Sequence, residues 1–191
     1  MPGIAVIYAS SYGHTAVIAD RIAGELAARG LRAEVHDVRA LPKDMFISRF
    51  DAVILGGRVH GQKFPRSLRR FVRDHRSTLN RIPSAFYTVS LSMAGKDEAA
   101  KQDILRITAR FPAELGWKPS SSAAFAGALP YTKYGWLTRT IMKRISAAAG
   151  GDTDTSRDYV YTDWDEVRRF ADEMADKATA HVEKLYQPPA H

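Results

Sequence analysis

Ser10, Ser11, Gly13, His14 and Thr15 put hydroxyls, a glycine and an imidazole into one short turn. Before it, Ile4 to Tyr8 is an apolar run that reads as a buried strand; after it, Ala16 to Arg29 repeats its apolar residues at helical spacing. A strand-to-helix turn of this kind gathers side-chain hydroxyls and the unpaired first N–H groups of the helix into one small volume, with the positive end of the helix dipole behind them. That arrangement binds anions, and a phosphate monoester suits it. The helix end contributes only about 0.3 to 2 kcal/mol, so the hydroxyls of Ser10, Ser11 and Thr15 must supply most of the specificity. An ordinary serine cap on a βα turn would use the same residues.

The second group follows another buried strand, Asp51 to Gly56. Gly56 and Gly57 would let a planar ligand lie against bare backbone, and Arg58 and His60 would balance negative charge on it. Gly56 and Gly61 echo the spacing of a nucleoside-triphosphate loop, but Gln62 stands where that motif needs lysine. The first strand is not followed by G-x-G-x-x-G, which turns the reading from a dinucleotide to a mononucleotide. No Ser-His-Asp or paired-carboxylate set has persuasive spacing, and with no cysteine there is no thiolate nucleophile or Cys-bound metal. Redox chemistry here must therefore come from a bound organic cofactor. Asp152 and Asp154 after Gly150 and Gly151 lack the further ligands of a calcium loop, so a polar turn is expected and no metal.

The elements that must hold these groups alternate. The first helix carries Ile18, Ile22 and Leu26 on one stripe and stops at Gly30. Strands are predicted at Arg32 to Asp37, Ala85 to Leu91 and Ser121 to Ala126. Helices are predicted around Leu68 to Leu79, over Asp103 to Leu115, and from Thr162–Asp163 through Met174, with Asp163 and Glu166 at capping-box spacing. The stretch from Ser92 to Gln102 reads as a Met-Ala-Gly-rich loop of mixed charge. Strands this uniformly apolar call for a parallel sheet covered on both faces, an α/β doubly wound architecture in one domain over 1–191. Ligands of such sheets sit beyond the carboxyl ends of the strands, where the loops after strands one, three and four meet.

Apolar residues at 45% and charged residues at 26% are the composition of a globular chain, and no apolar run is long enough to span a bilayer. The early first strand leaves no room for a signal peptide, which points to the cytoplasm. A net charge of +7 needs either a solvated basic surface or an acidic partner: nucleic acid, an anionic membrane or an acidic small molecule. The absence of any nucleic-acid motif argues against the first of these partners.

Ser10-Ser11-Tyr12-Gly13-His14-Thr15 resembles the phosphate loop of flavodoxins, which hold FMN in a five-stranded sheet of order 2-1-3-4-5. Pro83 to Tyr87, Ala126 to Leu129 with Tyr131, Gly150 to Thr155 and Tyr161 to Trp164 narrow the likeness to the bacterial quinone-dependent protoporphyrinogen IX dehydrogenases. That resemblance implies FMN, oxidation of protoporphyrinogen IX to protoporphyrin IX in haem synthesis, and a membrane quinone as electron acceptor. It implies that Ser10, Ser11, Tyr12, Gly13, His14 and Thr15 hold the FMN phosphate. Gly56, Gly57, Arg58, Val59, His60 and Gly61 would then flank the isoalloxazine ring together with Ser90, Leu91, Ser92 and Met93, with Arg58 or His60 tuning the flavin.

Between the fifth strand and the last helix lies an insertion, 131–150. Tyr134, Leu137, Ile141 and Ile145 share one helical face there, and Lys133, Arg139, Lys143 and Arg144 occupy much of the rest. Four basic residues at about 1 kcal/mol each near anionic lipid contribute about 4 kcal/mol, roughly a thousandfold in partitioning. The segment therefore either lies on an anionic membrane surface, placing the protein peripherally on the cytoplasmic face of the inner membrane, or packs on the domain's own core. Another FMN-dependent quinone reductase and a flavodoxin-type electron carrier are the competing functions. Homo-oligomerisation is left open.

Overall fold

The computed structural model describes residues 1–10, 13–42, 45–59, 62–129, 154, 156 and 158–186. The insertion 131–150, Ser11, Tyr12, His60 and Gly61 lie outside them.

Strands β1 (Gly3–Ala9), β2 (Arg32–Asp37), β3 (Ala52–Arg58), β4 (Ser84–Ser90) and β5 (Ser121–Ala126) form one five-stranded sheet. Its order is β2-β1-β3-β4-β5 and every pairing in it is parallel, as expected. Helices α1 (His14–Ala28), α2 (Arg66–Arg81), α3 (Glu98–Glu114) and α4 (Trp164–Tyr186) make the crossovers and the closing element. Alternation along each strand sorts the helices to two faces. Ile4 and Val6 of β1, Ile54 of β3 and Tyr87 of β4 pack with α1 and α4; Ala5, Ile7, Leu55 and Phe86 pack with α2 and α3.

The boundaries have local causes. Gly30, at φ +75°, ends α1: its N–H donates to the Ala27 carbonyl at 2.9 Å and the Leu31 N–H to that of Leu26 at 3.1 Å. Asp163 starts α4, its carboxylate accepting from the N–H groups of Asp165 at 2.8 Å and Glu166 at 3.3 Å. Helix α3 begins at Glu98, inside the stretch expected as loop, because Asp97 caps it by accepting from the Ala100 N–H at 3.1 Å. Residues 98 and 99 are exposed, so the first turn carries no apolar period to betray it.

A second, two-stranded antiparallel pair was not expected. β6 (Ala128–Leu129) joins β7 (Tyr159–Val160), with Leu129 opposite Tyr159. The pair brings both ends of the insertion together just past β5. The Asp154 carboxylate accepts from the Ser156 N–H at 3.0 Å and hydroxyl at 2.7 Å, while Gly150, Gly151 and Asp152 of the turn read there lie outside the described residues. Among the described residues no helix is long and apolar enough to cross a membrane.

Candidate cofactor site at the carboxyl edge

Sheet register decides which residues meet. Ala9, Gly57, Thr88 and Ala124 stand side by side across β1, β3, β4 and β5, and Ser90 is level with Ala126. Ser10, Arg58 and the turn after Ser90 are thereby delivered to one edge, the place the topology assigns to a ligand.

Ser10 follows β1 and is only 6% exposed; its Oγ accepts from the Gly13 N–H at 3.0 Å. Gly13 is the residue before α1, at φ +93°, with nothing within 4 Å of where a side chain would begin. The turn thus needs glycine for its backbone and not for want of room. Gly13→Ala is expected to cost about 1 to 2 kcal/mol in thermal unfolding and to weaken cofactor binding with it. Helix α1 starts at His14, two residues ahead of the start read from its apolar stripe, so His14 and Thr15 belong to its first turn. That turn has no acidic residue and no side-chain cap, and Thr15 is buried. The first turn thus offers N–H groups and the Thr15 hydroxyl, with no acidic residue of its own to repel an anion.

Two buried contacts set the position of this turn. The phenol of Tyr87, fully enclosed under the sheet, donates to the Thr15 carbonyl at 3.1 Å. Burial pushes its pKa far up, with Asp20 adding to the effect, so it stays a donor. His14 Nε2 lies 2.7 Å from Thr162 Oγ1, and that hydroxyl donates to the Ala126 carbonyl, also at 2.7 Å. A hydroxyl has one proton to give, so Nε2 of His14 must carry the proton of their shared hydrogen bond. The imidazole also faces the Trp164 ring at 6.2 Å. Phosphate turn, end of β5 and entry to α4 are therefore one hydrogen-bonded unit. Sequence reasoning placed Thr162 and Trp164 in a family block and gave them no role, and Tyr87 likewise.

The expectation for Gly56 and Gly57 is corrected. Strand β3 runs on to Arg58, and both glycines are buried within it. A Cβ on Gly56 would stand 2.0 Å from Tyr87 Cζ, and one on Gly57 2.6 Å from Leu68 Cδ2. Their missing side chains make room for neighbouring core residues and leave no bare backbone for a planar ligand. What reaches the edge from this strand is Arg58, partly exposed, and Val59, whose N–H extends the ladder to the Val89 carbonyl at 3.2 Å. Gln62 beyond them sits at φ +63°, a strained conformation for a residue with a side chain, of the kind that collects at functional loops.

The third loop is a 3-10 turn, Leu91–Met93. Ser90 Oγ accepts from the Ser92 N–H at 3.2 Å, and Leu91, Ser92 and Met93 are half-buried on the same edge. The Gly127 N–H donates to the Ser90 carbonyl and the Tyr161 N–H to that of Gly127, each at 3.1 Å, which stacks the β7 segment behind this loop. Among the described residues no group of His, Asp or Glu could hold a metal ion.

Comparison with known proteins agrees with this geometry. The flavodoxin-domain family model matches residues 5–156. The chain is 34% identical over 170 residues to protoporphyrinogen IX dehydrogenase (quinone) of Escherichia coli K12, covering 89% of this chain and 93% of that protein. It is 33% identical over 176 residues to the Leishmania major protein of the same name, covering 91% of this chain and 75% of the other. In fold it is similar to oxidised flavodoxin 1 of Bacillus cereus, with a TM-score of 0.53 at 18% identity over 91% of this chain and 97% of that one. A flavodoxin from the domain Archaea gives a TM-score of 0.55 at 16% identity over 93% and 99%. These two share the fold alone. The flavodoxin domain indicates flavin binding, and the donor set of Ser10, Thr15 and the first turn of α1, which holds no acidic residue, fits a flavin's phosphorylated form. By matched length and identity the chain belongs to the flavodoxin-domain family and, within it, to the quinone-dependent protoporphyrinogen IX dehydrogenases.

Proposed function

We propose that this protein binds FMN and oxidises protoporphyrinogen IX to protoporphyrin IX in haem biosynthesis, with a membrane quinone as electron acceptor. One observation carries the reading: the chain is 34% identical to the Escherichia coli dehydrogenase over 89% of its own length and 93% of that protein's. When bound, FMN supplies the acceptor for hydride equivalents from the porphyrinogen and passes electrons on to the quinone.

The protein's part is to bind, orient and shield. The Ser10 and Thr15 hydroxyls, with the N–H groups of His14 and Thr15, hold the phosphate; Ser11 and Tyr12 complete that loop by their place in the sequence. Val59 and the turn from Ser90 through Leu91 and Ser92 to Met93 flank the ring, joined by His60 and Gly61 from the same loop. Arg58, at the carboxyl end of β3, brings positive charge beside the ring and favours the reduced, anionic form. Arg58→Ala is expected to lower the flavin midpoint potential by tens of millivolts, read by spectroelectrochemistry; an unchanged potential in this variant and in His60→Ala removes both residues from the tuning role.

The deciding experiment mixes the holoprotein anaerobically with protoporphyrinogen IX and a quinone and follows porphyrin fluorescence. Quinone-dependent growth of that signal is the expected result. A flavin that is reduced by a nicotinamide donor and leaves the porphyrinogen untouched would instead indicate a quinone reductase of another kind.

A further inference from the structure

The β2–β3 connection leaves the sheet at the carboxyl edge, where the Val38 N–H donates to the Tyr8 carbonyl at 2.9 Å. Past Leu41 the chain turns back, the Met45 N–H bonding to the Pro42 carbonyl at 3.1 Å, and Ile47 and Phe50 enter the core at 3% and 2% exposure. Phe46, beside them, is 69% exposed. Facing this connection is the first half of α2, and between the two lies a cleft of about 480 Å³. Val38, Leu41 and Phe71 supply its apolar lining, Arg66 and Arg70 its positive charge and Asp74 its one negative charge. Arg70 is 79% exposed and pairs with Asp74 at 3.4 Å; Arg66 is exposed and makes no hydrogen bond or ion pair among the described residues.

Charge on α2 is lopsided. Its sequence holds Arg66, Arg69, Arg70, Arg73, Arg76 and Arg81 against the single acid Asp74. Of these, Arg69 meets Glu114 at 3.3 Å, and Arg70 and Arg73 share Asp74 at 3.4 and 3.9 Å, which leaves the helix with a surplus of positive charge. His75, which also lines the cleft, adds no charge at neutral pH, since burial lowers its pKa. A large exposed aromatic on the connection, a partly apolar cleft and a surplus of arginines on α2 are what a bilayer interface uses: apolar groups enter the acyl boundary and cations meet lipid phosphates. A phosphate backbone alone would use the arginines and leave Phe46 and the cleft without purpose.

We propose that the cleft between α2 and the β2–β3 connection, together with the exposed Phe46 of that connection, docks the protein on an anionic phospholipid membrane. Arg66 and Arg70 engage lipid phosphates there, while Phe46 and the apolar lining take up acyl chain. The surface adjoins the carboxyl edge, so docking brings the cofactor site to the lipid phase that dissolves a quinone. Its biological purpose rests on the function proposed above; its existence does not. It is also separate from the basic segment 131–150.

The test is co-sedimentation of the holoprotein with vesicles of phosphatidylglycerol and phosphatidylethanolamine, against vesicles of phosphatidylcholine alone. Binding to the anionic vesicles is expected, and it should be released by about 0.5 M salt as screening shortens the reach of charge. Arg66→Gln with Arg70→Gln should lower the partition coefficient about 30-fold, and Phe46→Ser about tenfold. All three residues are exposed, so melting temperature and flavin content should stay those of the parent. Vesicle binding that is absent in the parent, or undiminished in these variants while replacing Lys133, Arg139, Lys143 and Arg144 by glutamine abolishes it, overturns the proposal. So does a preference of the same arginines for duplex DNA with vesicle binding unaffected. Turnover of protoporphyrinogen with a short-chain soluble quinone should persist in the variants; a parent that binds vesicles but lacks turnover strikes the proposed function and leaves the docking surface standing.

Discussion

Replacing Gly56 by alanine is expected to cost the fold about 4 kcal/mol, far more than one methyl group usually does. The new Cβ would lie 2.0 Å from Cζ, 2.2 Å from the hydroxyl oxygen and 2.4 Å from Cε1 of Tyr87. Neither partner can yield cheaply. Gly56 is held in β3 between β1 and β4, and the Tyr87 ring is fully buried with Phe125 at 5.8 Å and Phe170 at 6.2 Å. Pushing the ring aside also breaks its hydrogen bond to the Thr15 carbonyl and leaves a buried hydroxyl unpaired, which adds about 1 to 3 kcal/mol to the overpacking. For a chain of this length the melting temperature should fall by roughly 8 to 16 °C. Cofactor affinity should fall with it, because Thr15 belongs to the phosphate turn. Gly24→Ala is the control of opposite sign: that glycine is exposed within α1 with nothing within 4 Å, and alanine there should stabilise by about 0.5 to 1 kcal/mol. Equal melting temperatures for Gly56→Ala and the parent would contradict the packing described.

The second large effect is expected at Thr162. Thr162→Val keeps the shape and removes the hydroxyl, so the Ala126 carbonyl loses its donor and the His14 Nε2–H its acceptor. Losing these two hydrogen bonds, at about 0.5 to 1.5 kcal/mol each, should weaken FMN binding by roughly 10- to 100-fold. Thr162 acts through His14, which marks it as a positioning residue. Thr162→Ser should therefore restore most of the affinity, since the hydroxyl is what matters. Titration of the apoproteins with FMN checks this, and a valine variant that binds as tightly as the serine variant would contradict the relay.

These two sites also mark where the sequence was legible and where it was not. Strand β2 was read with its true ends, because Gly30 and the switch from helical to strand spacing punctuate it locally. Sheet order followed from the phosphate turn's resemblance, and parallel pairing from the uniformly apolar central strands. The glycine pair in β3 was misread, since a glycine that makes room for a ring across the sheet looks the same in sequence as one that opens a loop. The first turn of α3 was missed because exposed residues carry no apolar period, though Asp97 three residues before Ala100 was a readable cap. Contact between His14 and Thr162 spans 148 residues, and no spacing rule reaches that far. Only the edge-on view of the sheet, with Ala126 beside Ser90, shows why the chain after β5 must close over the phosphate turn.

The central claim is that the turn from Ser10 to Thr15 grips a phosphate, and the direct measurement is calorimetric titration of the apoprotein with FMN and, in parallel, with riboflavin. Several charge-assisted hydrogen bonds at about 1.5 to 3 kcal/mol each predict that FMN binds at least 100-fold more tightly than riboflavin, with the advantage reduced in Ser10→Ala. Equal affinities for the two ligands, or no heat with FMN, would contradict it.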